Sequence, residues 1–395
     1  MSDSDLNDKN QKITRLEEYK PFPYLIPEIN IDFNIDDLKV NVKTLMRVLP
    51  VDANESTLIL KGVGINLCNL LVNGISWPES KYNLNKDELR IKDLPSTEFR
   101  LQLSGNINPF DNTSLEGLYL SKGLLVTQCE AEGFRRITFH PDRPDVLSKY
   151  TVSVEADYKK YPVILSNGNQ TFAGEARGNP KRHKVIWTDP YPKPSYLFAL
   201  VAGNLKEVNS SYYSKSGREI IIRIHVESGD EIYTQHAIDS LKRAMKWDED
   251  VYGLEYDLDQ YNIVAVRHFN MGAMENKSLN IFNSKLVLAD SVIATDKELE
   301  RIESVIAHEY FHNWTGNRIT CRDWFQLSLK EGLTVFRDQS FTADLHSKGL
   351  KRIEDVSFLR NFQFAEDKGP TSHAVKPKEY VAIDNFYTTT IYEKG

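Results

Sequence analysis

Two histidines four residues apart are the first feature of this sequence that could do chemistry. In the stretch His308-Glu309-Tyr310-Phe311-His312, both would lie on one face of a helix. The two imidazoles would then point at one place, as the first two protein ligands of a zinc ion do. Glu309 would project to one side, where its carboxylate could reach a water molecule on the metal. A buried helix with two incidental histidines is the alternative for these five residues alone.

A carboxylate further along the chain is a candidate third ligand. Glu331 is the one acid in the mostly apolar segment 324–336, and eighteen residues separate it from His312. An acid in apolar surroundings is costly unless it is paired or bound to a metal. A catalytic zinc takes three protein ligands and leaves a fourth position open, so His308, His312 and Glu331 form a possible set. A solvated helix acid is the alternative role for Glu331.

The helix that must hold the histidines can be predicted from its start. Thr295-Asp296-Lys297-Glu298 is a capping-box pattern, which marks a helix N-terminus. Apolar residues follow at helical spacing: Leu299, Ile302, Ile306 and Tyr310. Gly316 is a plausible stop. The residues between His312 and Glu331 leave room for a loop and the start of an antiparallel helix.

Composition and charge limit the class of protein. With 395 residues, 41% apolar and 27% charged, the chain is long enough for two domains and a large core. The net charge of −7 argues against nucleic acid as the main partner. The cysteines, Cys68, Cys129 and Cys321, are too scattered to predict a disulfide framework or a structural zinc. Residues 1–20 lack a signal core and no run resembles a membrane span, so we expect a cytoplasmic protein without a membrane partner.

The first half of the chain is typical of strands. Residues 1–14 are rich in Asp, Asn, Ser and Lys and are expected to form a mobile tail. Period-two alternation begins at Ile29 and resumes at Val40. Further strand candidates are 57–61, 98–103, 123–128, 150–156, 162–166 and 184–187. Short strands separated by turns predict an all-β domain over residues 15–203, either a β-sandwich or an open, saddle-like sheet.

Near residue 204 the pattern changes. A strand over 219–226 precedes an amphipathic helix over 230–252, and strands over 261–266 and through 281–288 follow. The helix with the two histidines comes next. Strands followed by helices in this order indicate an α+β domain, which we place at residues 204–395.

The turn between those last two strands makes a family resemblance specific. It is Met271-Gly272-Ala273-Met274-Glu275-Asn276, and His-Glu-x-x-His and a later Glu follow it. This order is similar to the gluzincin aminopeptidases, and in particular to their bacterial aminopeptidase N (alanyl aminopeptidase) branch. The segments 127–135 and 386–395 resemble the same branch. The resemblance covers nearly the whole chain. Four motifs in the family's order would rarely arise by chance.

The resemblance implies a zinc-dependent aminopeptidase with a thermolysin-like α+β catalytic domain. It implies one zinc per chain, held by His308, His312 and Glu331, with Glu309 as the general base acting on zinc-activated water. Tyr392 would donate to the oxyanion. From the residues alone, an ordinary core or strand tyrosine is the better interpretation of Tyr392. Substrates would be peptides with a free N-terminus and an Ala-like, basic or broadly apolar first residue.

The resemblance also implies which residues recognise the N-terminus of the substrate. Glu275 and Glu130 would accept charge-assisted hydrogen bonds from the substrate α-ammonium. Gly272 and Ala273 are small and would let backbone approach the peptide closely. The other candidate substrate-binding residues are Gln128, Met271, Met274, Asn276 and Tyr387. Arg267-His268 departs from the branch and adds positive charge near the ammonium site.

One alternative stays open and another is discounted. Family members continue well beyond the tyrosine matched by Tyr392, so we expect a catalytic domain truncated at its C-terminus. Such a chain could be catalytically silent and bind peptide N-termini or a partner protein. The epoxide-hydrolase branch of the family is discounted, because Glu130 stands where that branch carries a glutamine. We expect a monomer with no nucleic-acid partner.

Overall fold

The computed structural model describes residues 13–52 and 54–395, in two compact units. The larger unit is Phe22–Thr320, and the smaller comprises Cys321–Gly395 with the described residues before Phe22. Most of the tail expected over residues 1–14 lies outside the described residues. Within the described part of the chain, no helix is both long and apolar enough to cross a membrane.

Strands occupy most of the chain as far as residue 283, and helices dominate after it. The strands, in chain order, are β1 (Thr14–Arg15), β2 (Tyr24–Ile35), β3 (Val40–Pro50), β4 (Leu58–Lys61), β5 (Asn66–Val72), β6 (Ile75–Ser76), β7 (Tyr82–Leu84), β8 (Glu88–Ile91), β9 (Phe99–Ile107), β10 (Gly117–Ser121), β11 (Leu124–Gln128), β12 (Ser148–Asp157), β13 (Val163–Ser166), β14 (Asn169–Ala176), β15 (Asn179–Lys193), β16 (Leu200–Gly203), β17 (Lys206–Tyr213), β18 (Glu219–Val226), β19 (Gln260–Val266), β20 (Ala273–Met274), β21 (Leu279–Asn283) and β22 (Glu379–Tyr380). The α-helices are α1 (Gln235–Val251), α2 (Asp296–Phe311), α3 (Leu327–Leu345), α4 (Lys348–Phe358) and α5 (Phe364–Asp367).

The largest sheet of the larger unit has the strand order β14-β15-β12-β2-β3-β9-β5-β6. Its pairs are antiparallel except for β12 and β2, which run parallel. The predicted alternation is confirmed in β2, where Ile29, Ile31 and Phe33 are buried and the residues between them are exposed. Because successive side chains of a strand point to opposite faces, one face of this sheet builds the core and the other stays wet.

Two smaller sheets complete the β-rich region. One is antiparallel with the order β10-β11-β16-β13, and the other has the order β4-β8-β7. All the predicted strand segments correspond to observed strands. The strand β14 was not predicted, because most of its side chains are exposed and its few apolar residues do not alternate with polar ones.

A five-stranded mixed sheet carries the second half of the larger unit, in the order β17-β18-β19-β21-β20. β18, β19 and β21 run parallel, and every residue of β19 is buried, as expected for a strand covered on both faces. The prediction of a strand through 281–288 is wrong beyond Asn283. There the Asn283 side chain accepts from the Lys285 N–H and caps a 3₁₀ turn, which competes with the ladder.

Helix α2 begins where predicted and ends earlier. The capping box is confirmed, since Thr295 Oγ1 accepts from the Glu298 N–H and the Glu298 carboxylate accepts from the Thr295 N–H. The predicted stop at Gly316 is wrong, because the helix ends at Phe311 with His312 as its C-cap. The loop turns back at once, and the Asn317 N–H donates to the His312 carbonyl at 2.9 Å. α2 is supported by α1, through Trp247 and Phe311 rings whose centroids lie 5.1 Å apart.

The smaller unit is built from α3, α4 and α5, with the short pair β1 and β22. Gly332 on α3 allows a close approach, since a Cβ there would meet the Gly395 backbone at 2.8 Å. Several apolar side chains of α3 and α4 are exposed: Leu329, Leu333, Phe336, Leu350 and Ile353.

Removing the α2 cap should destabilise the helix that carries the histidines. We expect Thr295→Ala to lower the free energy of unfolding by about 1 kcal/mol, because it leaves the Glu298 N–H without its acceptor. Thr295→Ser keeps the hydroxyl and is the matched control. Urea denaturation followed by tryptophan fluorescence measures both. If Thr295→Ala matched the wild type, the capping box would have no role in stability.

Candidate metal centre and amine site

Helix α2 brings His308 and His312 together. Their Nε2 atoms lie 3.0 Å apart, and their ring centroids 4.7 Å apart. His312 Nδ1 lies 2.8 Å from the Thr315 carbonyl oxygen. A carbonyl oxygen only accepts, so we assign the His312 proton to Nδ1, which leaves the Nε2 lone pair facing His308. A metal-bound histidine is held by its outer ring N–H in the same way.

Two buried carboxylates lie beside the histidines. One oxygen each of Glu275 and Glu309 and a ring nitrogen of His312 all lie within 4.8 Å of one another. Glu275 is 3% exposed and Glu309 is 7% exposed. Two carboxylates that are buried close together repel each other, and a cation beside them lowers the electrostatic energy of both. Imidazole nitrogens next to carboxylate oxygens are donors that suit zinc, so these residues fit a divalent metal ion.

A buried tyrosine lies in the field of these carboxylates. Burial raises the pKa of the Tyr261 phenol, and the charges of Glu309 and Glu275 raise it further. Asn280 Nδ2 donates to the Tyr261 oxygen. The Tyr261 ring centroid is 5.9 Å from that of Tyr310, on the helix that carries the histidines. Tyr261 was not predicted as part of the site, because in sequence it looks like any apolar residue of β19.

Glu275 follows β20, which lies at the edge of the five-stranded sheet and pairs with β21. Met274 and Asn276 are buried, Met271 and Ala273 are half-buried, and Gly272 is exposed. Asn317 Nδ2 donates to the Glu275 carbonyl oxygen at 2.9 Å. The turn therefore lies at the edge of the sheet, and the Asn317 side chain holds the backbone of Glu275 beside it.

Glu130 reaches the same place from the β-rich region. It follows β11, and one of its carboxylate oxygens lies within 4.8 Å of one from Glu275. Gln128 is fully buried, and its Nε2 donates to the Glu130 carbonyl oxygen at 3.2 Å. The larger unit thus brings together two histidines and three carboxylates from three distant stretches of the chain.

Asp142 holds the segment that follows Glu130. It accepts from Arg135 Nε at 2.9 Å and from Ser195 Oγ at 2.8 Å. Its own backbone N–H donates to His140 Nδ1 at 2.9 Å. None of these contacts could be predicted, because the partners are separated by turns and lack a spacing pattern.

The remaining predicted site residues belong to the smaller unit. Glu331 lies on α3, is 3% exposed, and has Lys330 Nζ 2.8 Å from its Oε1. Tyr387 and Tyr392 are half-buried, and Tyr392 lies in the π turn Thr390–Lys394. Their roles stay predictions.

Arg267 forms ion pairs with nearby acidic residues. Its guanidinium pairs with Asp230, and its Nε lies 3.6 Å from a Glu227 oxygen. The carbonyl of His268 accepts from Ser121 Oγ at 3.1 Å. The positive charge of Arg267 is therefore compensated locally.

Family models match most of the chain. The Peptidase M1 N-terminal domain matches residues 34–197, and the Peptidase family M1 domain matches residues 236–395. The chain belongs to peptidase family M1. The resemblance predicted from the motifs is confirmed, and so is the α+β class with its β-rich N-terminal region. The domain boundary at residue 203 stays a prediction.

Relatives within the family are similar over almost all of this chain. It is 52% identical to aminopeptidase N of Caulobacter vibrioides over 380 residues, and 50% identical to aminopeptidase N of Escherichia coli over 378. Both alignments cover 96% of this chain but only 44% and 43% of those proteins. The chain therefore spans less than half the length of the curated relatives it matches.

A solved structure shows the same fold. The crystal structure of Legionella pneumophila aminopeptidase A in complex with aspartic acid has a TM-score of 0.89 at 37% identity. The match covers 97% of this chain and 44% of that one.

The buried His140, which accepts from the Asp142 N–H, should make stability depend on pH. Burial, and then the charge of Arg135, lower the pKa of His140 to about 3. In the unfolded chain a histidine binds a proton below about pH 6.5, so the free energy of unfolding falls as the pH drops through that value. Between pH 7 and pH 5 we expect this group to remove about 2 kcal/mol.

Urea denaturation of the wild type and of His140→Gln at both pH values measures this loss. We expect the wild type to lose about 2 kcal/mol more than the variant over this range. Equal losses in the two proteins would contradict the assignment.

Proposed function

We propose that this protein is a zinc-dependent aminopeptidase that hydrolyses the N-terminal peptide bond of peptides with a free α-amine. One observation carries the proposal. In the larger unit, donor atoms of the buried residues His312, Glu309 and Glu275 lie within 4.8 Å of one another, and the half-buried His308 has its Nε2 3.0 Å from that of His312. A metal site, a general base and an anchor for the α-amine would together allow the removal of one residue from the N-terminus of a peptide. The names of the relatives from Caulobacter vibrioides and Escherichia coli agree with it.

His308 and His312 would hold one zinc ion through their Nε2 atoms. We propose Glu331 as the third ligand, on the family pattern that it matches in sequence. Zinc, when bound there, would lower the pKa of a water molecule to about 7 and polarise the scissile carbonyl. The carbonyl of Thr315 keeps the His312 proton on Nδ1, so the Nε2 lone pair stays available.

Glu309 is the proposed general base. Its carboxylate would take the proton from the attacking water and return it to the nitrogen of the leaving amine. Burial at the metal site keeps this carboxylate away from bulk water. Tyr392 is the proposed oxyanion donor, through its phenolic O–H.

Glu275 and Glu130 are the proposed anchors of the substrate α-ammonium. Their oxygens lie within 4.8 Å of one another, which suits a group with three N–H donors. An acetylated amine would bring neither charge nor enough donors into this buried place, and would be excluded. The free edge of β20, with the exposed Gly272, suits pairing with the substrate backbone.

The first side chain of the substrate would meet a mixed pocket. On the family pattern, we propose Gln128, Met271 and Tyr387 as residues that shape it. Methionine adapts to several side-chain shapes, so an Ala-like, basic or broadly apolar first residue is expected. The cytoplasmic setting and the monomeric state also stay predictions.

One alternative has an observation in its favour. Leu329, Phe336 and Leu350 on α3 and α4 are 68%, 59% and 67% exposed. Such apolar surface is typical of helices that meet a partner. The alternative is a chain that binds peptide N-termini or a partner protein without turnover. Peptide binding by a folded, zinc-loaded sample that hydrolyses nothing would favour it.

Replacing the base should separate chemistry from metal binding. We expect Glu309→Gln to lower kcat for alanyl-p-nitroanilide by at least about 10²-fold, while one zinc per chain is retained. Elemental analysis and turnover on the same sample measure both. Glu300→Gln changes a half-buried acid on the same helix and should leave both unchanged. Loss of zinc in Glu309→Gln would assign Glu309 to metal binding instead.

Removing an amine anchor should weaken substrate binding and leave the metal in place. We expect Glu275→Gln to raise KM for alanyl-p-nitroanilide by about 10- to 100-fold, the value of one charge-assisted hydrogen bond. Glu219→Gln, at an exposed acid of the same sheet, is the control. N-acetylalanyl-p-nitroanilide should not be hydrolysed by the wild type. Equal rates on the acetylated and free substrates would remove the amine-anchor assignment.

A further inference from the structure

A buried polar cluster includes residues that are close in sequence to Glu275 and His312. Lys277 Nζ lies 2.6 Å from Asp257 Oδ1 and 2.6 Å from Asn313 Oδ1. Asn313 Nδ2 donates to the same Asp257 oxygen at 3.2 Å. The Lys277 and Asp257 side chains are 2% and 8% exposed, and Asn313 is 3% exposed. Each of the three side chains therefore contacts the other two, out of reach of solvent.

The charges of this cluster are well matched. Burial raises the pKa of the Asp257 carboxyl, but the charge of Lys277 and hydrogen bonds from Lys277, Arg318 and Asn313 lower it by more. The Arg318 guanidinium also lies 3.9 Å from the Tyr191 ring centroid. A buried charge pair with its remaining donors satisfied holds one geometry, and losing one member is costly.

The cluster joins the two segments whose spacing matters for the proposed reaction. Lys277 stands two residues after Glu275, and Asn313 immediately follows His312. Asn317 makes a second link, since its side chain donates to the Glu275 carbonyl and its backbone N–H to the His312 carbonyl. Thus the turn with the amine anchor and the loop after the metal-binding helix are tied at two points.

We propose that Lys277 and Asn313 are positioning residues, which hold the Glu275 turn against the His312 loop at a set distance. This inference rests on the proposed function. An enzyme that removes one residue needs a constant distance between amine anchor and metal, because a misplacement of about 1 Å can cost 10²-fold in rate. Neither residue would contact the substrate, and both would act through the segments that they join.

The test measures zinc affinity apart from activity. The apo chain is titrated with zinc against a competing chelator, and KM and kcat are then measured with alanyl-p-nitroanilide. We expect Asn313→Ala to weaken zinc binding by about 10-fold or more and to raise KM, because it frees the loop after His312. It leaves the Lys277–Asp257 pair in place, so the fold should survive. Asn209→Ala, at an exposed asparagine of β17, is the matched control.

Lys277→Met removes the link from the other side and should show the same two effects, with Lys285→Met as an exposed control. If Lys277→Met does not fold, Asn313→Ala alone decides. A folded Asn313→Ala protein with a lower Tm but wild-type zinc affinity and KM would overturn the proposal, since that is the result of a merely structural role. If the wild type binds zinc without turnover, the proposed function fails, and the zinc affinities still test the positioning role.

Discussion

The burial of like charges is the constraint on which the larger unit depends. Glu275 and Glu309 are almost inaccessible to water, yet oxygens of the two lie within 4.8 Å of one another. Folding alone does not favour such an arrangement, because each carboxylate loses hydration and repels the other. A bound divalent cation on one side and a substrate ammonium on the other would offset that cost. In the proposed function, ligand binding would therefore reduce the electrostatic cost of holding these two carboxylates close together.

Hydrogen bonds to backbone atoms keep this arrangement in place. The Thr315 carbonyl orients the His312 ring, and the Asn317 amide holds the turn at the Glu275 carbonyl. Backbone anchors leave the reactive side-chain atoms available for ligands. The mixed sheet, helix α2 and strand β11 each position one part of this group of residues.

Local patterns in the sequence were enough to predict that His308 and His312 come together, but not the contacts that support them. The capping box at Thr295, the histidine spacing and the alternation in β2 depend on neighbouring residues, and all are confirmed. The turn at Asn283 was missed because the Asn283 side chain competes with the ladder, and the early end of α2 was missed because no local pattern marks the backbone contacts of the loop that follows it. Contacts such as Lys277 to Asp257 join residues far apart in sequence, and spacing does not reveal them. The roles of Glu331 and Tyr392 stay predictions.

Zinc K-edge X-ray absorption on the zinc-loaded chain of 395 residues tests the central claim most directly. The account predicts one zinc per chain, with two imidazole nitrogens at about 2.0–2.1 Å, oxygen donors in the remaining positions and no sulfur. It also predicts that His312→Ala loses the two-imidazole signature. A sulfur ligand at about 2.3 Å, or an unchanged spectrum in His312→Ala, would contradict the account, since the metal would then lie elsewhere.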